Sequence, residues 1–237
     1  MKKEKHQAKT RLDRFISQKK NINKRDVRLI LAQQRIIVDG LIANNIQQII
    51  HPFTSVIFDG ELLQNNKASY LMLNKPTGVV SATSDEQHKT VIDLLDHPFK
   101  KSLHITGRLD LNSSGLLLLT NDSNWSRKLT LPEQKVAKVY QVTTEKPIDH
   151  ECIDAFKKGM YFPYEDITTK PVELKILSQY KAELRLIEGR YHQIKRMFGR
   201  FRNPILKIHR LSIGHIILDP HLAPGESRSL NECEINL

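Results

Sequence analysis

The run Leu116-Leu117-Leu118-Leu119 offers no polar side to solvent, so it reads as a buried strand and fixes a piece of core. A glycine-punctuated loop leads into it: Gly107-Arg108-Leu109-Asp110, then Ser113-Ser114-Gly115. The run continues into Thr120-Asn121-Asp122. An acid, Asp110, thus stands at the lip of a buried strand, with Arg108 two residues before it. Such a pair can act on a polyanion.

The rest of the chain points the same way. Its 237 residues suffice for one large domain or two small ones, with a core. Lys and Arg number 37 against 26 Asp and Glu, a formal charge of +11. A chain this basic is expected to meet nucleic acid or an anionic membrane. No run approaches the roughly 18 apolar residues that span a bilayer. The start, Met1-Lys2-Lys3-Glu4-Lys5-His6, lacks the apolar core of a secretory signal. The expectation is a cytoplasmic protein that binds nucleic acid and no membrane. Cys152 and Cys233 are far apart and outside any metal-ligand spacing, so neither a zinc site nor a disulfide is expected.

The charge is uneven. Residues 1–28 hold eleven Lys and Arg against three acids, most of the excess of the whole chain. Within this stretch Leu12, Phe15 and Ile16 fall at helical spacing, as do Val27, Ile30 and Leu31. The polar link Lys19-Lys20-Asn21-Ile22-Asn23 separates the two helices, and Asn23 is placed to cap the second. That helix carries Lys24, Arg25 and Arg28 on its polar side. Next, Ile36-Ile37-Val38 and Leu41-Ile42-Ala43 flank Asp39-Gly40, a hairpin signal because both turn positions need positive φ. Ser55–Phe58 is a further strand, ending at Asp59-Gly60. Two helices and a small sheet make a unit of about 60 residues.

Gln64-Asn65-Asn66-Lys67 reads as a polar hinge. A second domain then opens with Tyr70–Asn74, a strand stopped by Lys75-Pro76. Val136–Val142 alternates with period two, and so, approximately, does Ala182–Glu188. Thr90–Leu95 and Ile153–Lys158 read as short helices. Strand-rich segments with few βαβ units predict an α+β fold, its sheet mixed and mainly antiparallel, flanked by helices.

Four segments are candidates for chemistry: Asn74–Val80, the loop around Asp110, Lys138-Val139-Tyr140, and Glu188–Phe198. From Gly189 to Arg210 there are seven Lys and Arg and no acid, a second phosphate-binding surface that includes Arg190, Lys195 and Arg196. Arg-Leu-Asp also occurs at Arg11-Leu12-Asp13, where it reads as helix surface. The tripeptide alone is therefore uninformative. The signal lies in the long string Gly107–Asp122 and its order relative to the other segments.

In that order the four segments resemble the motifs of the pseudouridine synthases, in particular the RsuA-type branch. Residues 1–66 resemble its N-terminal S4 RNA-binding domain, through Arg11–Ile16, the basic second helix and Arg35–Gly40. Residues 67–237 resemble its catalytic domain. Ile208–Gly214 and Leu222–Glu226 resemble the enzymes acting on small-subunit ribosomal RNA.

The resemblance implies cleavage of a uridine's glycosidic C–N bond, rotation of the base, and reattachment through C5, with no cofactor and no metal. It implies Asp110 as the residue that attacks or stabilises the ribose carbon, Lys195 as its partner, and Tyr140 as the aromatic that stacks on the base or removes the C5 proton. A free tyrosine, of pKa near ~10, is a poor base unaided, which favours stacking. The uridine must flip out of its helix or loop to reach Asp110. Arg108 is expected to fill the gap left by the base or to bind its phosphate. Leu184 and Leu186 form either an apolar floor beneath the ring or plain core. His192 is expected to position its loop.

Two departures stand out. Asp122-Ser123 replaces the branch's frequent Asp-Gly. Gly199-Arg200-Phe201-Arg202-Asn203 is bulkier and more basic than a small-residue loop. The expected partner is ribosomal RNA or a small-subunit assembly intermediate, bound by a monomer. The alternatives are a synthase acting on large-subunit ribosomal RNA and a non-catalytic assembly factor.

Overall fold

A computed structural model of the chain describes residues 9–236, so Lys2, Lys3 and Lys5 of the basic run lie outside the described residues. The chain divides into two compact units between Ala68 and Ser69.

In the first unit, helices α1 (Leu12–Lys20) and α2 (Lys24–Ala32) cover a sheet of β1 (Ile36–Val38), β2 (Leu41–Ile42), β3 (Val56–Phe58) and β4 (Glu61–Gln64), in the order β2-β1-β3-β4. The helical spacing of Leu12, Phe15, Ile16, Val27 and Ile30 buries all five against Ile36, Val38, Val56 and Phe58. Both hairpin turns take the left-handed backbone expected of Asp-Gly, with φ of 49° and 81° at Asp39-Gly40 and 50° and 79° at Asp59-Gly60. Lys24, Arg25 and Arg28 are exposed on α2.

Three expectations need correction here. Asn23 occupies the cap position of α2, but its side chain makes no cap bond; its backbone carbonyl accepts from Asp26 and Val27 instead. Asp13 is no surface residue: it is buried in the first turn of α1, accepting from Arg11 Nη2 at 2.8 Å and from the backbone N–H of Arg14. Gln64 is no hinge residue: it ends β4, and its buried amide donates to the carbonyls of His51 and Thr54, both at 2.8 Å.

The second unit is built on β5 (Tyr70–Lys75), β6 (His104–Thr106), β7 (Ser113–Thr120), β8 (Lys138–Thr144), β9 (Glu173–Ser178), β10 (Lys181–Leu186), β11 (Ile205–Ile213), β12 (Ile216–Ile217) and β13 (Ser227–Ser229). Among the described residues these form one nine-stranded sheet, ordered β9-β10-β8-β11-β7-β5-β13, with β6 on β7 and β12 on β11. Only the β11–β7 pairing is parallel, so the sheet is mixed and mainly antiparallel. The flanking helices are α3 (Ser123–Thr130), α4 (Glu151–Lys158) and α5 (Gln193–Gly199).

Leu116–Leu119 is fully buried because both faces of β7 are covered. Leu117 and Leu119 pack with Leu71, Val91 and Leu109; Leu116 and Leu118 pack with Met72, Trp125 and Leu129. The proposed helix at Thr90–Leu95 is instead a run of turns, with Asp93 Oδ2 accepting from both the N–H and the hydroxyl of Thr90. Asp122, followed here by serine, stands directly ahead of α3. It caps α3, with Oδ1 accepting from the N–H groups of Asn124 and Trp125. No helix among the described residues is long and apolar enough to cross a membrane.

Candidate active site

β8 and β10 bring the third and fourth motifs to the loop ahead of β7. Together they enclose a cavity of about 470 Å³. Arg108, Asp110, Tyr140, Leu186, Arg190, His192 and Lys195 all line it. The Asp110 carboxyl is 39% exposed, and two basic side chains approach its Oδ2: His192 Nε2 at 3.4 Å and Lys195 Nζ at 4.0 Å. Lys195 reaches it from the first turn of α5. His192 stands just before that helix in left-handed backbone, φ 49°.

Tyr140 lies opposite Leu184 in the β8–β10 register, so the two share a face, as does Leu186 two residues on. This separates the two leucines. Leu184 is wholly buried core, whereas Leu186 reaches the cavity and forms part of its wall.

The backbone of the Asp110 loop is held almost carbonyl by carbonyl. Lys75 ends β5 with no exposed surface, and its ammonium donates to the carbonyls of Pro76 (2.9 Å), Asp110 (3.2 Å), Leu111 (3.4 Å) and Ser113 (2.8 Å). Ser81 Oγ donates to the carbonyl of Leu109 at 2.7 Å and accepts from its N–H at 3.1 Å. Arg210, buried on β11, donates to the carbonyls of Leu116 (2.8 Å), Gly107 (2.7 Å) and Arg108 (3.4 Å). The β11–β7 pairing sets Arg210 opposite Gly115, where a Cβ would stand 2.3 Å from the Arg210 carbonyl oxygen. Only glycine fits there, and its φ of 102° agrees.

The other wall of the cavity is pinned through a buried carboxylate. Glu188 Oε1 accepts from the N–H of Lys170 at 2.8 Å and from the Gln193 amide at 2.9 Å. Gln193 Oε1 in turn accepts from the N–H of Arg190 at 3.0 Å.

Arg196 and Arg210 do not join the phosphate-binding surface expected of them. Arg196 forks onto Glu165 at 2.5 and 2.6 Å, with its guanidinium 3.7 Å over the Phe162 ring, so its charge is already matched. Arg210 is spent on the loop. Lys24, Arg25 and Arg28 belong to the first unit. Lys75, Ser81 and Arg210 are the residues that sequence reasoning missed. Lys75 lay within a segment singled out for its position, but burial of a lysine among carbonyls leaves no local pattern.

Burial pushes the Lys75 ammonium down to about 8, opposed by the Asp110 carboxylate and reinforced by Arg210. Its ordinary value is 10.5, so between those limits the unfolded chain binds more protons than the folded one. The desolvation cost is therefore full below about pH 8 and is relieved as the pH rises towards 10.5. Urea titrations at about pH 7 and about pH 10 will show the wild type gaining stability relative to Lys75→Met as the pH rises. A difference that shrinks instead contradicts burial as the dominant influence.

A mixed sheet with its cleft over an aspartate loop matches a known catalytic class. The RNA pseudouridylate synthase family matches residues 69–199. A solved pseudouridylate synthase superimposes with a TM-score of 0.69 at 36% identity, covering 95% of this chain and 97% of that one. This chain belongs to the RNA pseudouridylate synthases, in their RsuA-type branch. Among its relatives, the ribosomal small subunit pseudouridine synthase A of Pseudomonas aeruginosa is 48% identical over 95% of this chain and 98% of its own. The enzyme of that name from Escherichia coli strain K12 is 41% identical over the same shares of the two chains.

Proposed function

We propose that the chain converts a uridine of small-subunit, 16S, ribosomal RNA to pseudouridine, acting in the cytoplasm as a monomer. The observation that carries this reading is the convergence of Asp110, Tyr140 and Lys195 on one cavity of one chain, together with relatives named for that RNA. The reaction is redox-neutral and conserves every atom but the exchanged C5 proton, so no cofactor is required.

In this account the uridine flips into the cavity and stacks on Tyr140. Flipping costs a few kcal/mol, and stacking returns about 1–3 kcal/mol. The Asp110 carboxylate attacks or stabilises the ribose C1′ as the bond to N1 breaks. Lys195, next to Oδ2, supplies the opposite charge that favours a carboxylate in a site dried by the base, and His192 positions the group. The base turns, C5 joins C1′, and the C5 proton leaves. Leu186 supplies the apolar wall for the ring. Arg108 and Arg190 face the phosphates, and Arg108 also fills the gap in the stack. Arg196, matched by Glu165, keeps only a positioning part.

The first unit is assigned RNA binding as an S4-like domain, through Lys24, Arg25 and Arg28. Phosphate contacts release counterions, so the triple change to glutamine is expected to lower the slope of log affinity against log salt by about 2. Affinity titrations on small-subunit RNA between low and moderate salt check this; an unchanged slope removes α2 from the interface.

The target RNA is tested by incubating the full chain with 16S and 23S RNA, naked or in assembly particles, and mapping pseudouridine by chemical adduct and primer extension. A new pseudouridine in 16S RNA alone is expected. Modification of 23S RNA instead overturns the assignment.

A further inference from the structure

Tyr191 stands at the cavity mouth, lining the cavity while 74% exposed. It is not loose. It lies flat on the His192 ring, centroids 3.9 Å apart and planes 21° from parallel, and His192 is itself tied to Asp110. The loop beneath is braced on both sides: the Arg190 N–H donates to Gln193, and Arg196 Nη1 approaches the Tyr191 carbonyl at 3.4 Å while anchored to Glu165. One face of the tyrosine ring is thus covered and the other open. Arg190 stands next to it; its Nε donates to Glu188 Oε2 at a long 3.4 Å, and its side chain stays 48% exposed, which leaves the other guanidinium nitrogens for a phosphate.

We propose that the open face of Tyr191 is a second stacking subsite, which takes the base of the ribonucleotide adjoining the flipped uridine. The inference rests on the pseudouridine synthase reading above. Lifting one base from a stack leaves its neighbour with an uncovered face. A rigid, preordered ring at the mouth of the cavity replaces that lost contact at little entropic cost. Because every base has a π face, the subsite is indifferent to sequence and takes any single-stranded neighbour. Arg190 supplies a phosphate contact beside it.

A base stacked on an aromatic is worth about 1–3 kcal/mol, or roughly 5- to 150-fold. Tyr191→Ala is therefore expected to raise KM for small-subunit RNA by that factor, with a much smaller effect on kcat, and Tyr191→Phe to restore it. With 5-iodouridine-substituted RNA, irradiation is expected to cross-link the wild type at Tyr191 and not to label that peptide in Tyr191→Ala. A side chain this exposed is not needed for folding, so the alanine variant remains testable. If kcat falls while KM holds, or if cross-links form elsewhere on the protein and none at Tyr191, the subsite is refuted. If the wild type itself forms no pseudouridine, the functional reading fails first, and the cross-link still decides whether RNA meets Tyr191.

Discussion

Asp110→Asn is expected to abolish pseudouridine formation, by on the order of 10⁴-fold or more, while RNA affinity stays within about twofold. The change removes one charge and almost no volume. The fold will not register it, because the loop is held through its carbonyls by Lys75, Ser81 and Arg210 rather than through the Asp110 side chain. The contacts to His192 and Lys195 are long and partly exposed, so they contribute at most about 1 kcal/mol to stability. What is lost is the nucleophile, since a neutral amide cannot attack or stabilise C1′. A non-catalytic assembly factor would keep its function after this substitution. Thermal melting, RNA binding and single-turnover kinetics on one preparation separate the two cases.

Arg210→Met is expected to damage stability and rate together. The guanidinium is buried and donates to carbonyls on both sides of the Asp110 loop. Methionine fills the volume but leaves those acceptors unpaired, at about 1–3 kcal/mol each, for a total on the order of 3–5 kcal/mol. The loop then relaxes by a fraction of an ångström to about 1 Å, which costs roughly 10²-fold in kcat. Arg210→Lys keeps the charge but cannot span the carbonyls with a planar fork, so it falls between. Urea unfolding and turnover measure both effects. A variant as stable and active as the wild type contradicts the assigned role.

Much of this architecture was legible in residue order. The leucine run is a central strand because four consecutive apolar side chains need cover on both faces. Both Asp-Gly hairpins follow from a backbone that few other pairs adopt. The cavity-lining residues came from long motifs, and three-dimensional proximity then gathered Asp110, Tyr140, Leu186, His192 and Lys195. What stayed hidden depends on contacts far apart in the chain. Lys75 and Arg210 look like any other basic residues, and only the fold shows them enclosed by carbonyls. Arg196 counted as free charge until Glu165, distant in sequence, claimed it. Thr90–Leu95 has helical spacing and a reciprocal Thr90–Asp93 pair of the kind that starts helices, yet the chain makes only a short run of turns there, and local pattern did not show how soon it would stop.

The account is tested most directly by tritium release from small-subunit ribosomal RNA carrying 5-tritiated uridine. Pseudouridine formation must expel the C5 hydrogen of each converted uridine. The wild-type chain is expected to release tritium from naked RNA or assembly particles, to a plateau set by the number of target sites, and Asp110→Asn to release none. Folded, RNA-binding wild-type protein that releases no tritium from any ribosomal substrate would contradict the central claim.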